Sequence, residues 1–257
     1  MHVKLSAVII TYNEERNIGR CLESLKAVAD EILVVDSFSI DNTEQISLDA
    51  GAKFVKNPFE GHIEQKNWAR EHATFDHIIS LDADEALDEE LQKNILKIKN
   101  DWKFDAYKMN RLTNYCGHWV KHSGWYPDTK IRLFDRRKGE WGGNNPHDKF
   151  IPQKGLKVKW ISGDILHYSF YEREDHLRQI EKFSTIAAEA LHKKGVKSTV
   201  LKRFINPLAR FIKAYIIRLG VLDGKAGFDI ARYSAYANYL KYSKLKNLQS
   251  VGGVSKG

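Results

Sequence analysis

The sequence predicts an α/β fold, a doubly wound sheet followed by a helical C-terminal appendage. Three observations carry this reading. Before Glu85, short apolar runs alternate with helical patterns four times, as parallel strands joined by right-handed crossovers require. Three of those runs stop in polar residues, Thr11-Tyr12-Asn13, Asp36 and Asp82-Ala83-Asp84, and open α/β sheets bind ligands at such strand ends. From Glu172 onward the apolar residues recur at helical spacing.

Leu5-Ser6-Ala7-Val8-Ile9-Ile10 is the first strand, an apolar run that ends in Thr11-Tyr12-Asn13-Glu14-Glu15. A helix follows, because Ile18, Cys21, Leu22, Leu25 and Val28 share one face. Residues 31–35 form the second strand, closed by Asp36-Ser37. Asp41-Asn42-Thr43 supplies capping oxygens for a helix that Gly51 ends. Residues 53–55 are a third strand, 63–73 a helix and 77–81 the fourth strand. Residues 88–99 are helical again.

Beyond that point the character changes. Residues 105–115 and 129–135 alternate like strands of a mixed sheet. Between them, Gly117-His118-Trp119 and Gly124-Trp125-Tyr126-Pro127 are aromatic and turn-rich. Such rings suit the face of a sugar or the packing of a sheet edge. Residues 141–148, polar and glycine-rich, are expected as a flexible loop able to close over a bound ligand. Residues 172–194 form a helix with Leu177, Ile180, Phe183, Ala187 and Leu191 on one face. Asn206-Pro207 reads as the N-cap and first position of the next helix. Its apolar stripe is Leu208, Phe211, Ile212, Tyr215, Ile216 and Leu219, with Arg210 and Lys213 opposite. Residues 229–242 are a third helix, and 251–257 read as a disordered tail.

With 42% hydrophobic and 29% charged residues, the chain of 257 has a globular composition and can bury a sizeable core. Cys21 and Cys116 lie far apart without metal-ligand spacing, which fits a reducing compartment. The N-terminus enters its first strand without a signal peptide's apolar stretch. No run approaches the ~18 apolar residues of a membrane span. A cytoplasmic location is expected. Charge is uneven: residues 196–257 carry twelve Lys and Arg against Asp223 and Asp229, a net +10, while the remainder is net −2. That asymmetry points to a polyanionic partner, an anionic membrane or a nucleic acid.

Along an extended chain Asp82 and Asp84 fall on the same side, about 7 Å apart at Cα. Two such carboxylates suit a shared divalent cation, and hard oxygen ligands favour magnesium, manganese or calcium over zinc. Alternatively the stretch is an acidic turn that caps the helix at 88–99, because Asp84-Glu85 directly precede it. Tyr12 offers a flat face for a base. Asp36 is placed to accept from a base N–H or a ribose hydroxyl, or to cap its own strand end. Neither a dinucleotide fingerprint nor a P-loop is present, so a phosphate-bearing ligand here calls for a metal.

These stretches resemble the family 2 glycosyltransferases of the GT-A fold: Thr11-Tyr12-Asn13-Glu14, Val34-Val35-Asp36-Ser37, Asp82-Ala83-Asp84-Glu85, and Gln65-Lys66-Asn67-Trp68-Ala69 on the preceding helix. The segments 125–134, Pro146-His147-Asp148, Leu166-His167-Tyr168-Ser169 and 222–228 are similar to the bacterial lipopolysaccharide core β-glucosyltransferase group. The resemblance spans residues 3 to about 245. It implies inverting transfer of a hexose, glucose in that group, from a UDP-linked sugar to a lipopolysaccharide-core or other glycolipid or saccharide acceptor. It also implies a divalent metal, Mg2+ or Mn2+, at Asp82 and Asp84, with His167 completing the shell, touching the diphosphate or serving only the fold. Thr11, Tyr12, Asn13, Glu14, Asp36, Lys66, Asp82 and Ala83 would surround the donor. An inverting displacement needs one general base. Asp148 is the first candidate, with Asp128 the second unless it pairs with Lys130 or Arg132. The group more usually carries Glu at the place of Asp148, so its shorter side chain bears on reach. On this reading residues 1–170 form the GT-A nucleotide-sugar-binding and catalytic domain, and 171–250 a basic helical region.

Two other classes compete. Nucleotidyl transfer on a similar fold usually brings a glycine-rich basic loop after the first strand, whereas residues 11–15 are acidic and lack glycine. A non-catalytic nucleic-acid module would need a stacking groove, but the basic residues of the C-terminal quarter lie on helices with broad apolar faces. No nucleic-acid partner is expected. A helix with an apolar stripe and opposed cations can instead lie on the inner face of an anionic membrane, or pack on its own protein.

Overall fold

The computed structural model describes residues 2–145 and 147–254. The chain divides into two compact units. One comprises Met1–Leu112 and Asp128–Tyr168, the other Thr113–Pro127 and Ser169–Gly257.

In the first unit β1 (Leu5–Thr11), α1 (Ile18–Leu25), β2 (Glu31–Asp36), α2 (Thr43–Asp49), β3 (Lys53–Lys56), α3 (His62–His72) and β4 (His77–Asp82) follow the expected alternation. The strands stand in the order β3-β2-β1-β4 and all pair in parallel. β1, β2 and β4 are mostly apolar runs because both of their faces are covered, whereas β3, Lys-Phe-Val-Lys at the sheet edge, is not buried. Leu5, Ala7, Ile9 and Val34 pack into one core with Ile18, Leu22 and Leu91. Val8, Leu33 and Val35 pack into another with Ala69, Phe134 and Trp141. Each such side chain, fully buried, stabilises the fold by about 1.5–3 kcal/mol. Register sets Thr11 beside Asp36 and Ile10 beside Asp82, so the polar strand ends fall in one row.

After β4 comes β5 (Glu85–Leu87), a short strand that the pattern of the sequence does not announce, and then α4 (Glu89–Asn100). The cap of α4 is Asp88, whose carboxylate accepts from the Leu91 N–H at 2.7 Å. Asp84 and Glu85 are therefore not its cap. The chain continues through β6 (Ala106–Tyr115), β7 (His118–Trp119), β8 (Asp128–Asp135), β9 (Gly139–Asn144), β10 (His147–Pro152) and β11 (Val158–Phe170). β8 lies antiparallel between β4 and β6, and the order continues β8-β6-β11-β5. The sheet is mixed, as expected.

One expectation is corrected. Much of the segment expected as a flexible loop is strand, and β9 and β10 form an antiparallel hairpin. Its registered pair Trp141 and Phe150 is buried against Phe134, with the Phe134 and Phe150 rings stacked at 3.8 Å. Asn67 on α3 clamps it, donating to the Trp141 carbonyl and accepting from the Trp141 N–H, each at 2.9 Å.

In the second unit the far end of β6 pairs with β7, and Tyr115, Val120, Phe170 and Ile230 form a core with Trp125 against it. Trp125 is thus a packing residue. His176 sits among these rings, 3.3 Å from the Tyr115 hydroxyl. Burial pushes its imidazole down to about 4. The helices are α5 (Arg173–Lys193), α6 (Val200–Ile212) and α7 (Gly224–Val254). Glu172 and Asp175 close a capping box on α5.

Four sequence expectations change here. α6 starts at Val200, not at Asn206, because Thr199 caps it by accepting from the Lys202 N–H. Pro207 lies inside the helix, where its missing N–H removes one helical bond. The expected stripe divides. Ala214 is buried, and the Phe211 and Tyr215 rings meet Phe228 of α7 at 5.8 Å each, while Leu208, Ile212 and Ile216 remain exposed. α7 extends well beyond 229–242, since buried Leu245 and the bond from Gln249 to the Val196 carbonyl continue its packing. Of the tail expected as disordered, 251–254 close α7, and 255–257 lie outside the described residues.

Candidate active site

The end of β4 opens into a compact lattice of charge. Asp82, the last residue of β4, places Oδ1 2.8 Å from the Lys66 Nζ and Oδ2 3.0 Å from an Arg132 guanidinium nitrogen. Lys66, on α3 and only 2% exposed, also donates to Asp148 Oδ2 at 2.7 Å. One buried ammonium thus joins a carboxylate of the parallel sheet to one on the β10 hairpin. Burial alone would push the Asp82 carboxyl up, but Lys66 and Arg132 outweigh it and hold it well below the usual carboxylate range.

Arg132, on β8 and 3% exposed, donates at 2.9 Å to Glu85 Oε1, which also accepts from Arg111 at 3.2 Å. Glu85 Oε2 accepts from the Asp82 N–H at 3.0 Å, which fixes the backbone of the turn. Burial disfavours the guanidinium charge of Arg132, yet Glu85 and Asp82 more than offset it and raise its pKa. Ion pairs this buried seldom add net stability, but removing one partner leaves a costly bare charge. Asp128 is held by Arg111 at 2.8 Å and by Lys130 at 3.0 Å. Burial opposes ionisation there too, and Arg111 and Lys130 still draw the carboxyl below its ordinary value.

Asp84 has a different partner. Its Oδ2 lies 3.2 Å from His167 Nε2 on β11, and its carbonyl accepts from the Tyr168 N–H at 2.9 Å. Among the described residues no three His, Cys, Asp or Glu side chains converge as a complete metal-ligand set. Asp82, Asp84 and His167 therefore do not come together as the sequence expects, because Asp82 is spent on Lys66 and Arg132. Asp84 and His167 do fit a divalent cation as a pair, one hard oxygen and one imidazole nitrogen, with further positions left to ligand oxygens.

At the neighbouring strand ends, Thr11 is buried, and its hydroxyl has no hydrogen-bond partner among the described residues. Tyr12 is 57% exposed. Asn13 is left-handed (φ 52°) and accepts from the Ile40 N–H at 2.9 Å, which shapes the loop. Burial raises the Glu14 pKa, opposed by a bond from Asn17 and reinforced by Asp84, Asp41 and Asp82. Asp36 is fully buried and caps its own turn, accepting from the Ser39 N–H at 2.8 Å and from the Ser39 hydroxyl. Ala83 is buried in the first core.

The sequence alone does not mark Arg111 and Glu85 as site residues, and it offers Arg132 only as a partner of Asp128. The alternation of β8, which sets Asp128, Lys130 and Arg132 on one side, was the available signal. The carboxylates they meet depend on tertiary register.

The fold is similar to that of the mannosyltransferase PcManGT from Pyrobaculum calidifontis, solved with GDP-Man and Mn2+. The TM-score is 0.51 at 14% identity, covering 100% of this chain and 77% of that one. The fold is of the GT-A class. Residues 6–175 match the glycosyl transferase family 2 model. A protein of Rickettsia typhi named as an uncharacterized glycosyltransferase is 32% identical over 256 residues, 95% of this chain and 87% of that one. The lipopolysaccharide core biosynthesis glycosyltransferase LpsC of Rhizobium meliloti is 29% identical over 250 residues, 94% of this chain and 91% of that one. The chain belongs to glycosyl transferase family 2 and is a glycosyltransferase.

Proposed function

We propose that this enzyme is an inverting, metal-dependent hexosyltransferase. It moves glucose from a UDP-linked donor to a lipopolysaccharide-core or related glycolipid acceptor at the inner face of the membrane, where it is peripherally bound. The observation that carries the reading is Lys66, whose Nζ lies 2.8 Å from Asp82 and 2.7 Å from Asp148. It brings a candidate base on the hairpin to the strand end where a donor binds in this sheet topology. Asp148 takes the proton from the acceptor hydroxyl as that oxygen forms its bond to the anomeric carbon. The bond from that carbon to the diphosphate breaks on the opposite side, with inversion, and its electron pair leaves on the diphosphate. Asp84 and His167 would hold a Mg2+ or Mn2+ ion, which supplies Lewis-acid stabilisation of the departing charge when bound. Tyr12 offers its exposed face to the base, Asp36 and Asn13 hold the loop that borders it, and Thr11, Glu14 and Ala83 line the same end. Asp128, tied to Arg111 and Lys130, is the poorer proton acceptor. The LpsC likeness supports the class of acceptor. Hydrolysis and transfer assayed across nucleotide sugars with Mg2+ and Mn2+ test this. Asp84→Ala should abolish transfer while the circular dichroism spectrum is unchanged. Full activity of that variant in excess chelator would refute the metal role.

A further inference from the structure

The second unit leaves apolar surface that its own packing does not use. With Phe211, Ala214 and Tyr215 facing inward, another row on α6 and the turn after it faces water: Leu201, Ile205, Leu208, Ile212 and Ile216. Their spacing of four, three, four and four residues makes one stripe. Each keeps between 43% and 63% of its surface exposed. The stripe runs on through a single π-helical turn, Lys213–Ile217, to a corner where Leu222 is also exposed. At 100° per residue, Lys202 and Lys213 stand about a quarter turn from the row. Arg210 and Arg218 are exposed on the same segment. The two acids of residues 196–257 do not offset them, since Asp223 and Asp229 are buried and bonded to His122 and Arg173.

Charge selects the occupant. A second copy would bring one net +10 segment against another. The stripe is aliphatic, so it gives a nucleic acid no stacking platform. An anionic bilayer matches both features, taking the aliphatic row at the acyl boundary and the lysines at headgroup phosphates. We infer that the exposed face of α6 and the π-helical turn is the surface by which this protein lies in the headgroup layer of an anionic bilayer. The inference rests on the proposed peripheral location and names the face that produces it.

Co-sedimentation with vesicles of phosphatidylcholine, alone or mixed with phosphatidylglycerol, tests this. The full chain should bind the mixed vesicles only, and less as salt is raised. Leu208→Glu with Ile212→Glu should abolish binding, and Lys202→Ala with Lys213→Ala should weaken it about fivefold per lysine. Both variants should retain nucleotide-sugar hydrolysis. Equal binding to neutral vesicles, or unchanged binding by the glutamate pair, would overturn the inference. A wild-type dimer that dissociates in the glutamate pair, without vesicle binding, would give the face to a second copy and equally overturn it. Should the glutamate pair fail to fold, the lysine pair decides. Hydrolysis without vesicle binding removes the docking face alone, whereas vesicle binding without hydrolysis removes the proposed activity alone.

Discussion

At the scale of single residues, Lys66 organises the charge lattice, because its ammonium is shared by Asp82 and Asp148 and is nearly sealed from water. Asp148 is then fixed through one oxygen, whereas Asp128 is gripped by two cations. Asp148→Asn keeps the shape and removes proton acceptance, so kcat should fall by about 10²-fold or more with donor KM little changed. Asp128→Asn should be milder. Steady-state kinetics of the two variants decide, and the reverse ranking would move the base to Asp128. Asp82, Asp84 and Asp148 were legible in the sequence because acids at a strand end or after a glycine-rich run stand out locally. What each carboxylate touches was not legible. The pairing of Asp82 with Arg132 depends on β8 lying antiparallel to β4, which no local pattern encodes.

At the scale of elements, β1, β2, β4 and their helices were readable because both faces of those strands are covered and the runs are mostly apolar. The hairpin was not, because its glycines and asparagines imitate a loop while two distant rings, Trp141 and Phe150, make it a strand pair. α6 was misplaced for a related reason: Asn206-Pro207 has the chemistry of a helix start, yet Thr199 supplies the working cap. β11 shows how closely the elements are fitted. Gly163 has φ +94°, and a Cβ there would stand 2.3 Å from the Leu91 backbone nitrogen in the first turn of α4. Backbone cannot yield as a side-chain tip does. Gly163→Ala should cost about 2–4 kcal/mol, from left-handed strain plus overpacking. Urea unfolding should show the midpoint shift, and an unchanged midpoint would mean that β11 moves away from α4.

At the scale of the whole molecule, the two units depend on acid in different ways. The first is laced with ion pairs, while the second encloses His176 among aromatic rings. The folded pKa of His176, about 4, lies below its ordinary 6.5. The unfolded chain therefore takes the proton first as pH falls. Stability is whole above about pH 6.5 and is lost as pH falls toward 4, by up to about 3 kcal/mol. Urea titrations at neutral and acid pH, compared between the native chain and His176→Phe, should show a flatter dependence in the variant. Parallel dependences would assign the loss to other groups.

The β9–β10 hairpin carries a wider consequence. It pairs with itself rather than with the main sheet, and α3 fastens it through Lys66 and Asn67. On the proposed reading, the grip on the nucleotide and the choice of hydroxyl to deprotonate are therefore written in separate pieces of chain. Descendants of one ancestral enzyme can revise the hairpin, and with it the sugar linkage they make, while the donor apparatus is inherited intact. A lineage that must keep varying the glycans on its surface gains new products from changes in a span as short as Gly139 to Pro152.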